Sequence, residues 1–304
     1  MSRLRDTLSF LLLSVLWGLS FPAIAVGLSY MPPLFFAALR YDVAAIGLLG
    51  YLAIQGGRWL PTGRNNLIAI AGGGLFLVAG NGLLFIGQQT VPSGVAAIIQ
   101  ALVPIATAIW ALVLLGERLS RLGAVGVIVG FLGISLVVQP DPTNLLAGDT
   151  VGRLIIIGQV ISVSLGGVLV QRAQPTLGRI SLTGWSMVVG AVVLHIVSAV
   201  VRETPTAETF APTAIIAVIY LGVFSTAIAF FIYYTILEEH GAFEAGLVTY
   251  LVPIVSTTVG VAVLGESISI LTFVGFGLVA VGFVLLKRDA IADFVNHAPA
   301  VGRP

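Results

Sequence analysis

Two charged side chains lie within one long apolar stretch of the sequence, Pro33–Ile54. Arg40 follows Pro33 by seven residues, which is about 10 Å along a helix. An arginine in such surroundings could bind a carboxylate through two parallel hydrogen bonds, or it could bond to backbone carbonyls of a neighbouring helix. Because ionisable groups are costly away from water, Arg40 is a candidate functional residue.

Asp42 could carry a proton, or it could be a buried hydrogen-bond anchor. It lies two residues from Arg40, so the two side chains point to different faces of a helix and are poor direct partners. His195, in another apolar stretch, could shuttle a proton, although a lone histidine is more often a packing residue. Asp42 is therefore the candidate residue for proton coupling.

Further polar and aromatic side chains fall near the middle of apolar stretches. Polar groups there need internal partners, so some will bond across helices and will not meet a ligand. We expect about half of them to line a cavity suited to an amino-acid-sized solute with an apolar or aromatic part. With Arg40, the candidate substrate-binding residues are Trp17, Asn81, Gln100, Trp185, Tyr234, Thr249 and Tyr250.

Composition assigns the chain to the membrane. Of 304 residues, 58% are hydrophobic and 9% are charged, whereas a soluble domain carries about 25% charged residues. A soluble or disordered protein is thereby excluded. A net charge of +1 argues against a nucleic-acid partner. The absence of cysteine excludes thiolate metal sites, and no phosphate-binding loop of the ATPase type is present. We expect no cofactor and no metal.

Ten apolar stretches are long enough, or nearly so, to cross a bilayer as helices. Alternating strands of a barrel are a poor alternative, because the runs are long and uniformly apolar. The predicted spans are Leu8–Leu28, Pro33–Ile54, Asn66–Gln89, Ser93–Leu115, Leu122–Val138, Leu154–Gln171, Ser181–Val201, Pro212–Leu237, Ala245–Leu264 and Ile268–Leu286.

The placement of arginine and lysine predicts the orientation. If the N-terminus is cytoplasmic, the inside segments contain eleven of the 14 basic residues, and the outside segments contain only Arg153 and Arg202. Cytoplasmic loops are enriched in basic residues. We therefore predict a multi-pass protein of the plasma membrane with both termini in the cytoplasm.

Two segments of the sequence, Ser93–Val138 and Ala242–Lys287, repeat each other. A constant offset of 149 residues pairs Pro104 with Pro253, and the same offset relates five further identical pairs. Two homologous halves of five spans each must have opposite orientations in the bilayer, and inverted repeats are typical of transporters. We predict a first repeat at 1–139, an external linker at 140–152, a second repeat at 153–288 and a cytoplasmic tail at 289–304.

Each repeat contains a Gly-Glu-x-x-Ser element between its fourth and fifth spans. Gly116 and Gly265 can end a helix in the left-handed conformation, and the serine three residues after each glutamate can cap the next helix. Glu117 and Glu266 therefore belong first to a tight structural corner, and a gating role at opposite faces is the alternative. The glycines of spans 5 and 10 predict close helix packing, within the chain or in a homodimer.

The motifs resemble those of the EamA-type members of the drug/metabolite transporter superfamily. Residues Leu16–Ile24 read L-W-G-L-S-F-P-A-I, and Pro32–Ala45 read P-P-L-F-F-A-A-L-R-Y-D-V-A-A. The resemblance covers roughly residues 8–287 and implies ten helices, an inverted five-plus-five repeat and a central cavity. It also implies an arginine at the position of Arg40 in members of varied substrate preference, which favours a shared structural role.

The resemblance implies a secondary transporter that exports a small organic solute, an amino acid or a related metabolite, by alternating access. Cationic drug efflux is the first alternative, and it needs a membrane-embedded acid, for which Asp42 is the candidate. An integral-membrane enzyme is the second alternative, but the sequence contains no H-E-x-x-H or G-x-S-x-G motif. The expected partners are the solute and the lipid bilayer, with no enzymatic activity.

Overall fold

The fold is all-α, as predicted. The computed structural model describes residues 2–56, 59–139, 148–240 and 242–288, and within these ranges it contains helices and no strands. Most of the predicted linker 140–152 and all of the predicted tail 289–304 lie outside the described residues. Among the described residues, nine helices are long and apolar enough to cross a membrane, and Ile270–Leu286 is a shorter apolar helix.

These helices are numbered as spans 1 to 10 in chain order. Several spans consist of consecutive helical segments. The first five spans are Ser2–Gly18 with Ser20–Leu28, Pro33–Gln55, Arg64–Gly72 continuing through Gly73–Val78 and Ala79–Asn81 to Gly82–Gly87, Ser93–Gln100 with Val103–Leu115, and Arg121–Val138. The last five are Gly148–Ala173, Arg179–Val200, Pro212–Ile219 continuing through Tyr220–Ile228 to Ala229–Glu239, Ala242–Leu264 and Ile270–Leu286.

Span 6 begins at Gly148, six residues before the predicted start at Leu154. Arg153 stabilises this extra turn. It forms an ion pair of 2.8 Å with Asp149, one helical turn earlier, and donates a hydrogen bond of 2.6 Å to the carbonyl of Val137. The predicted linker is therefore shorter than 140–152, because its last residues are helical.

The two ends of the bundle are distinguished by contacts between loops. At one end, the carbonyl of Trp59 accepts a hydrogen bond from Trp185, and Asn66 bonds to the backbone of Thr176. The connections after spans 2, 4, 6 and 8 lie at this end because consecutive spans alternate in direction. We call it the arginine-rich face, because Arg64, Arg118, Arg121, Arg172 and Arg179 lie in or beside those connections. At the other end, the opposite face, Glu203 accepts hydrogen bonds from the start of span 2.

Spans 5 and 10 cross in an antiparallel arrangement through glycine. A Cβ atom added to Gly133 would lie 2.6 Å from the carbonyl oxygen of Gly275, and Gly126 meets Gly282 in the same way. Gly275 is the repeat equivalent of Gly126, and Gly282 is the repeat equivalent of Gly133. The two contacts are therefore the same contact made twice, with the halves exchanged. This reciprocity is the property of a two-fold axis between like surfaces, so the two halves are inverted relative to each other.

Spans 2 and 7 form a second antiparallel contact. Gly184 near the start of span 7 lies against Leu49 near the end of span 2, while His195 near the end of span 7 meets Phe35 near the start of span 2. The seam between these two spans therefore runs through most of the bundle. It brings together side chains that are more than 100 residues apart in sequence.

Spans 3 and 8 contain π-helical segments at equivalent places. Gly73–Val78 in span 3 and Tyr220–Ile228 in span 8 overlap when the repeat offset of 149 residues is applied. In span 8 the hydroxyl of Thr226 donates a hydrogen bond of 2.6 Å to the carbonyl of Leu221, five residues earlier. Such widened turns occur frequently at functional sites, and both lie against the seam between spans 2 and 7.

The two Gly-Glu-x-x-Ser corners have nearly the same geometry. Gly116 and Gly265 have φ of 71° and 68°, and the amides of the following glutamates bond to Ala111 and Gly260. Ser120 accepts a hydrogen bond from Gly123, and Ser269 accepts one from Thr272. The predicted capping serines are thereby confirmed, and Ser269 explains why span 10 begins at Ile270.

The glycine crossing can be tested in span 10 with two alanine substitutions. We expect Gly275→Ala to lower the thermal unfolding midpoint in detergent, because the new Cβ would lie 2.5 Å from the backbone oxygen of Gly133 and overpacking costs about 1–3 kcal/mol. Gly277→Ala is the matched control, since its Cβ meets no neighbouring span within 4 Å. Equal midpoints for the two variants would contradict the crossing.

Candidate functional site

Arg40 is buried in the first half of span 2, with 7% of its surface exposed. Its Nε donates a hydrogen bond of 2.9 Å to Thr226 in the π-helical segment of span 8. The centre of its guanidinium lies 5.4 Å from the ring of Tyr41 and 6.0 Å from that of Phe85. No acidic side chain in the described part of the chain forms an ion pair with Arg40, so its terminal nitrogens can meet an anionic group.

A polar network lies beside Arg40 and joins spans 2, 3 and 6. The side-chain nitrogen of Asn81 donates a hydrogen bond of 2.6 Å to the hydroxyl of Tyr41, and Gln159 donates one of 2.9 Å to the oxygen of Asn81. Gln159 is 1% exposed, and its own oxygen has no partner among the described residues. This oxygen is a free acceptor in the centre of the bundle.

Sequence reasoning selected Asn81 but missed Tyr41 and Gln159. Gln159 could have been found by the rule that selected Gln100, since it is an amide within an apolar stretch. Tyr41 had no comparable signal, because a tyrosine between two charged residues is ordinary in sequence terms. Only the approach of span 3 to span 2 makes its hydroxyl a partner for Asn81.

Trp17 and Tyr234 belong to one aromatic cluster between spans 1 and 8. The ring of Trp17 lies 5.4 Å from that of Tyr233 and 6.1 Å from that of Phe230. Tyr234 lies 5.9 Å from Phe230, and its hydroxyl forms a hydrogen bond with Thr183 of span 7. Phe230 and Tyr233, which connect the two predicted residues, were not predicted.

Tyr250 bonds to the residue that follows Gln100, where span 4 is interrupted. The first helix of span 4 ends at Gln100, and the second begins at Val103 next to Pro104, which has no amide hydrogen to donate. The hydroxyl of Tyr250 donates a hydrogen bond of 3.3 Å to the carbonyl of Ala101 in this break. Thr249, the repeat equivalent of Gln100, instead bonds to the carbonyl of Gly246 in its own helix.

Trp185 lies apart from Arg40, at the arginine-rich face. Its indole nitrogen donates a hydrogen bond of 2.9 Å to the carbonyl of Trp59, and the two rings are stacked with their centres 6.1 Å apart. These are the contacts of a residue that holds a loop against a helix. A binding role for Trp185 stays a prediction.

Asp42 and His195 form a pair that bridges spans 2 and 7. The Nε2 atom of His195 lies 2.7 Å from a carboxylate oxygen of Asp42, and both side chains are nearly two-fifths exposed. Their neighbours Ile46 and Ile196 are exposed, so the pair faces the outer side of the bundle, away from Arg40.

Two carboxylates of the second half cap helices of the first half at the opposite face. Glu266 accepts hydrogen bonds of 2.8 and 2.9 Å from the amide and hydroxyl of Ser93, at the start of span 4. Glu203 accepts bonds of 3.1 and 2.8 Å from the amides of Leu34 and Phe35. Carboxylates stabilise helix N-termini, so both residues hold the halves together. Glu117, the repeat equivalent of Glu266, is exposed, and a gating role for either stays a prediction.

Comparison with known proteins identifies the family. The model of the EamA-like transporter family matches residues 6–139 and 150–288. The chain belongs to this family. It is 30% identical to the uncharacterized inner membrane transporter YedA of Escherichia coli (strain K12), over 90% of this chain and 88% of that protein. It is 28% identical to an uncharacterized transporter of Archaeoglobus fulgidus, over 90% of this chain and 95% of that protein.

A solved crystal structure shares the fold. It matches with a TM-score of 0.64 and 20% identity, over 95% of this chain and 98% of that one. Together with the apolar helices, the EamA family places the chain among multi-pass membrane proteins. The named relatives are transporters, and their names assign no solute.

The polar network beside Arg40 can be tested through span 2. We expect Tyr41→Phe to lower the thermal unfolding midpoint, because Asn81 loses its acceptor in a buried site, at a cost of about 1 kcal/mol. Tyr51→Phe is the matched control in the same span, since Tyr51 is 44% exposed. The network would be excluded as a stabilising element if both substitutions lowered the midpoint equally.

Proposed function

We propose that the protein is a secondary transporter that exports a small organic solute, an amino acid or a related metabolite, by alternating access. The observation that carries this proposal is Arg40, a buried cation without a carboxylate partner among the described residues. A solute carboxylate at its terminal nitrogens would supply the missing negative charge. Bidentate pairs of this kind are strong where water is scarce.

The surroundings of Arg40 support a solute that also carries hydrogen-bond donors. The free oxygen of Gln159 is an acceptor that an amino group could occupy. The aromatic cluster of Trp17, Phe230, Tyr233 and Tyr234 offers an apolar wall for a side chain. The proposal for amino acids thus rests on one cation, one free acceptor and one aromatic surface.

The inverted halves supply the means of alternating access. Exchanging the arrangements of two equivalent halves would open a central site first to one face and then to the other. The carboxylate caps formed by Glu203 and Glu266 join the halves at the opposite face. They are the contacts that we expect to break when that face opens.

Asp42, paired with His195, is the proposed coupling residue. The other charged groups near this pair are Arg40, on a different face of span 2, and Glu203, whose carboxylate binds Phe35 beside the ring of His195. Cationic drug efflux stays the second candidate, because Asp42 is the only acidic residue in the apolar part of a span. Its pairing with His195 makes it less available to a cation.

Solute flux in proteoliposomes tests the role of Arg40. We would measure counterflow of a radiolabelled panel of the common L-amino acids, and we expect at least one to exchange. Arg40→Ala should lower the initial rate by about tenfold to a hundredfold, because the loss of hydrogen bonds to a charged group costs about 1.5–3 kcal/mol. Arg40→Lys should recover only part of the rate, since lysine cannot bind a carboxylate bidentately.

Two controls separate binding from folding in this experiment. Arg172→Gln removes an exposed arginine at the end of span 6 and should leave flux unchanged. Thr226→Val removes the hydrogen-bond partner of Arg40, so equal losses of flux and of thermal midpoint in Thr226→Val and Arg40→Ala would indicate a structural role. Acceleration by an imposed pH gradient that disappears in Asp42→Asn would support proton coupling.

The orientation can be tested because the sequence has no cysteine. We propose that the arginine-rich face is cytoplasmic, following the bias of basic residues. Thr62 and Glu208 are exposed and lie at the two different faces of the bundle. Each is to be replaced by a single cysteine. An impermeant maleimide should label Glu208→Cys in intact cells and Thr62→Cys only after lysis, and the reverse pattern would invert the proposed topology.

A further inference from the structure

A groove of about 270 Å³ lies between spans 2, 7 and 8 at the arginine-rich face. One end is polar, where Arg179 begins span 7 and Glu238 lies in the last turn of span 8. Leu52 of span 2 and Phe231 of span 8 are the apolar members of the lining, and Phe231 lies deeper. Phe231 precedes Glu238 by seven residues, which places it about 10 Å further along the helix. The groove therefore changes from charged to apolar with depth.

The two charged residues of the groove are only loosely paired. The distance between the guanidinium nitrogen of Arg179 and the carboxylate oxygen of Glu238 is 3.4 Å, and their side chains are 49% and 64% exposed. Strong pairs of this kind are shorter, at about 2.7–2.9 Å, and exposed pairs contribute little to stability. A ligand with both an anionic and a cationic group could replace this pair at low cost.

The groove opens to the side of the bundle and is closed toward its centre. Phe231 is 45% exposed, and Thr235, one turn later, is also exposed. On the inner side, the hydrogen bond between Thr183 and Tyr234 joins spans 7 and 8. A ligand in the groove would therefore be in contact with the acyl chains of the bilayer, and Tyr234 would lie on its inner side.

We propose that this groove binds a phospholipid with a zwitterionic phosphoethanolamine headgroup. The phosphate lies at Arg179, beside the first turn of span 7, which has no side-chain cap and favours an anion. The ammonium lies at Glu238, and the start of an acyl chain follows Leu52 and Phe231. A free amino acid has the same two charges, but it would leave the apolar end of the groove empty.

The test measures binding of short-chain phosphatidylethanolamine to the purified full-length protein, by its effect on the thermal unfolding midpoint. Phosphatidylglycerol, which has the phosphate but no ammonium, is the comparison lipid. We expect tighter binding of phosphatidylethanolamine. Arg179→Gln should weaken binding of both lipids by about tenfold, which corresponds to ~1.4 kcal/mol. Glu238→Gln should weaken phosphatidylethanolamine alone.

Two further variants show whether an effect arises in the groove. Thr235→Trp should block both lipids without a change of charge, because Thr235 lines the groove and is exposed. Arg172→Gln, on the same face but outside the groove, should bind as the wild type does. Midpoints measured without lipid show that each variant is folded.

The proposal makes the preference for phosphatidylethanolamine depend on Glu238. Equal binding of the two lipids by the wild type would overturn it, and so would a preference that survives Glu238→Gln. Displacement of the lipid by L-serine at millimolar concentration would reassign the groove to a soluble zwitterion. The comparison of the two lipids, and its dependence on Glu238, measures no solute flux, so a failure there leaves the proposed transport function untouched.

Discussion

The antiparallel contact between two inverted halves is the constraint on which the rest of this structure depends. Within a bilayer, apolar surfaces gain little by leaving lipid, so helices associate through close packing and internal hydrogen bonds. The glycines of spans 5 and 10 allow backbone to meet backbone, and the reciprocal pairs fix the register of one half on the other. Spans 2 and 7 form a second antiparallel contact between the halves. This contact positions span 2, which carries Arg40 and Tyr41 of the candidate site.

The two halves have equivalent backbones but different chemistry. Gly222 in span 8 lies against Val43 and the carbonyl of Arg40, and Gly74 in span 3 lies in the same way against Val189 and the carbonyl of Ser186. Ser186 is thus the structural counterpart of Arg40. The repeat supplies two similar frames, and only the first contains a cation. A site near the pseudo-two-fold axis can therefore be asymmetric although the fold is symmetric.

The polar groups within the spans illustrate how buried chemistry is distributed in an apolar medium. Asp42 pairs with His195, Asn81 joins Tyr41 and Gln159, and the glutamates cap helix ends. Against this background, Arg40 has no carboxylate partner among the described residues, and the buried oxygen of Gln159 has no hydrogen-bond partner there. Unsatisfied groups are costly where water is absent, which is why these two residues support a site for a polar solute.

The class of protein, the ten apolar helices, the repeat and the glycine-serine corners could all be predicted from the amino-acid sequence. These features follow from composition, run length and local backbone preference, which act over a few residues. The depth of Arg40 and its separation from Asp42 also followed from helical geometry alone. Which side chains meet across the bundle depends instead on how the helices cross. His195 was expected to be alone, yet it lies 2.7 Å from Asp42, 153 residues away, because the crossing of spans 2 and 7 sets that contact and no local rule encodes a crossing.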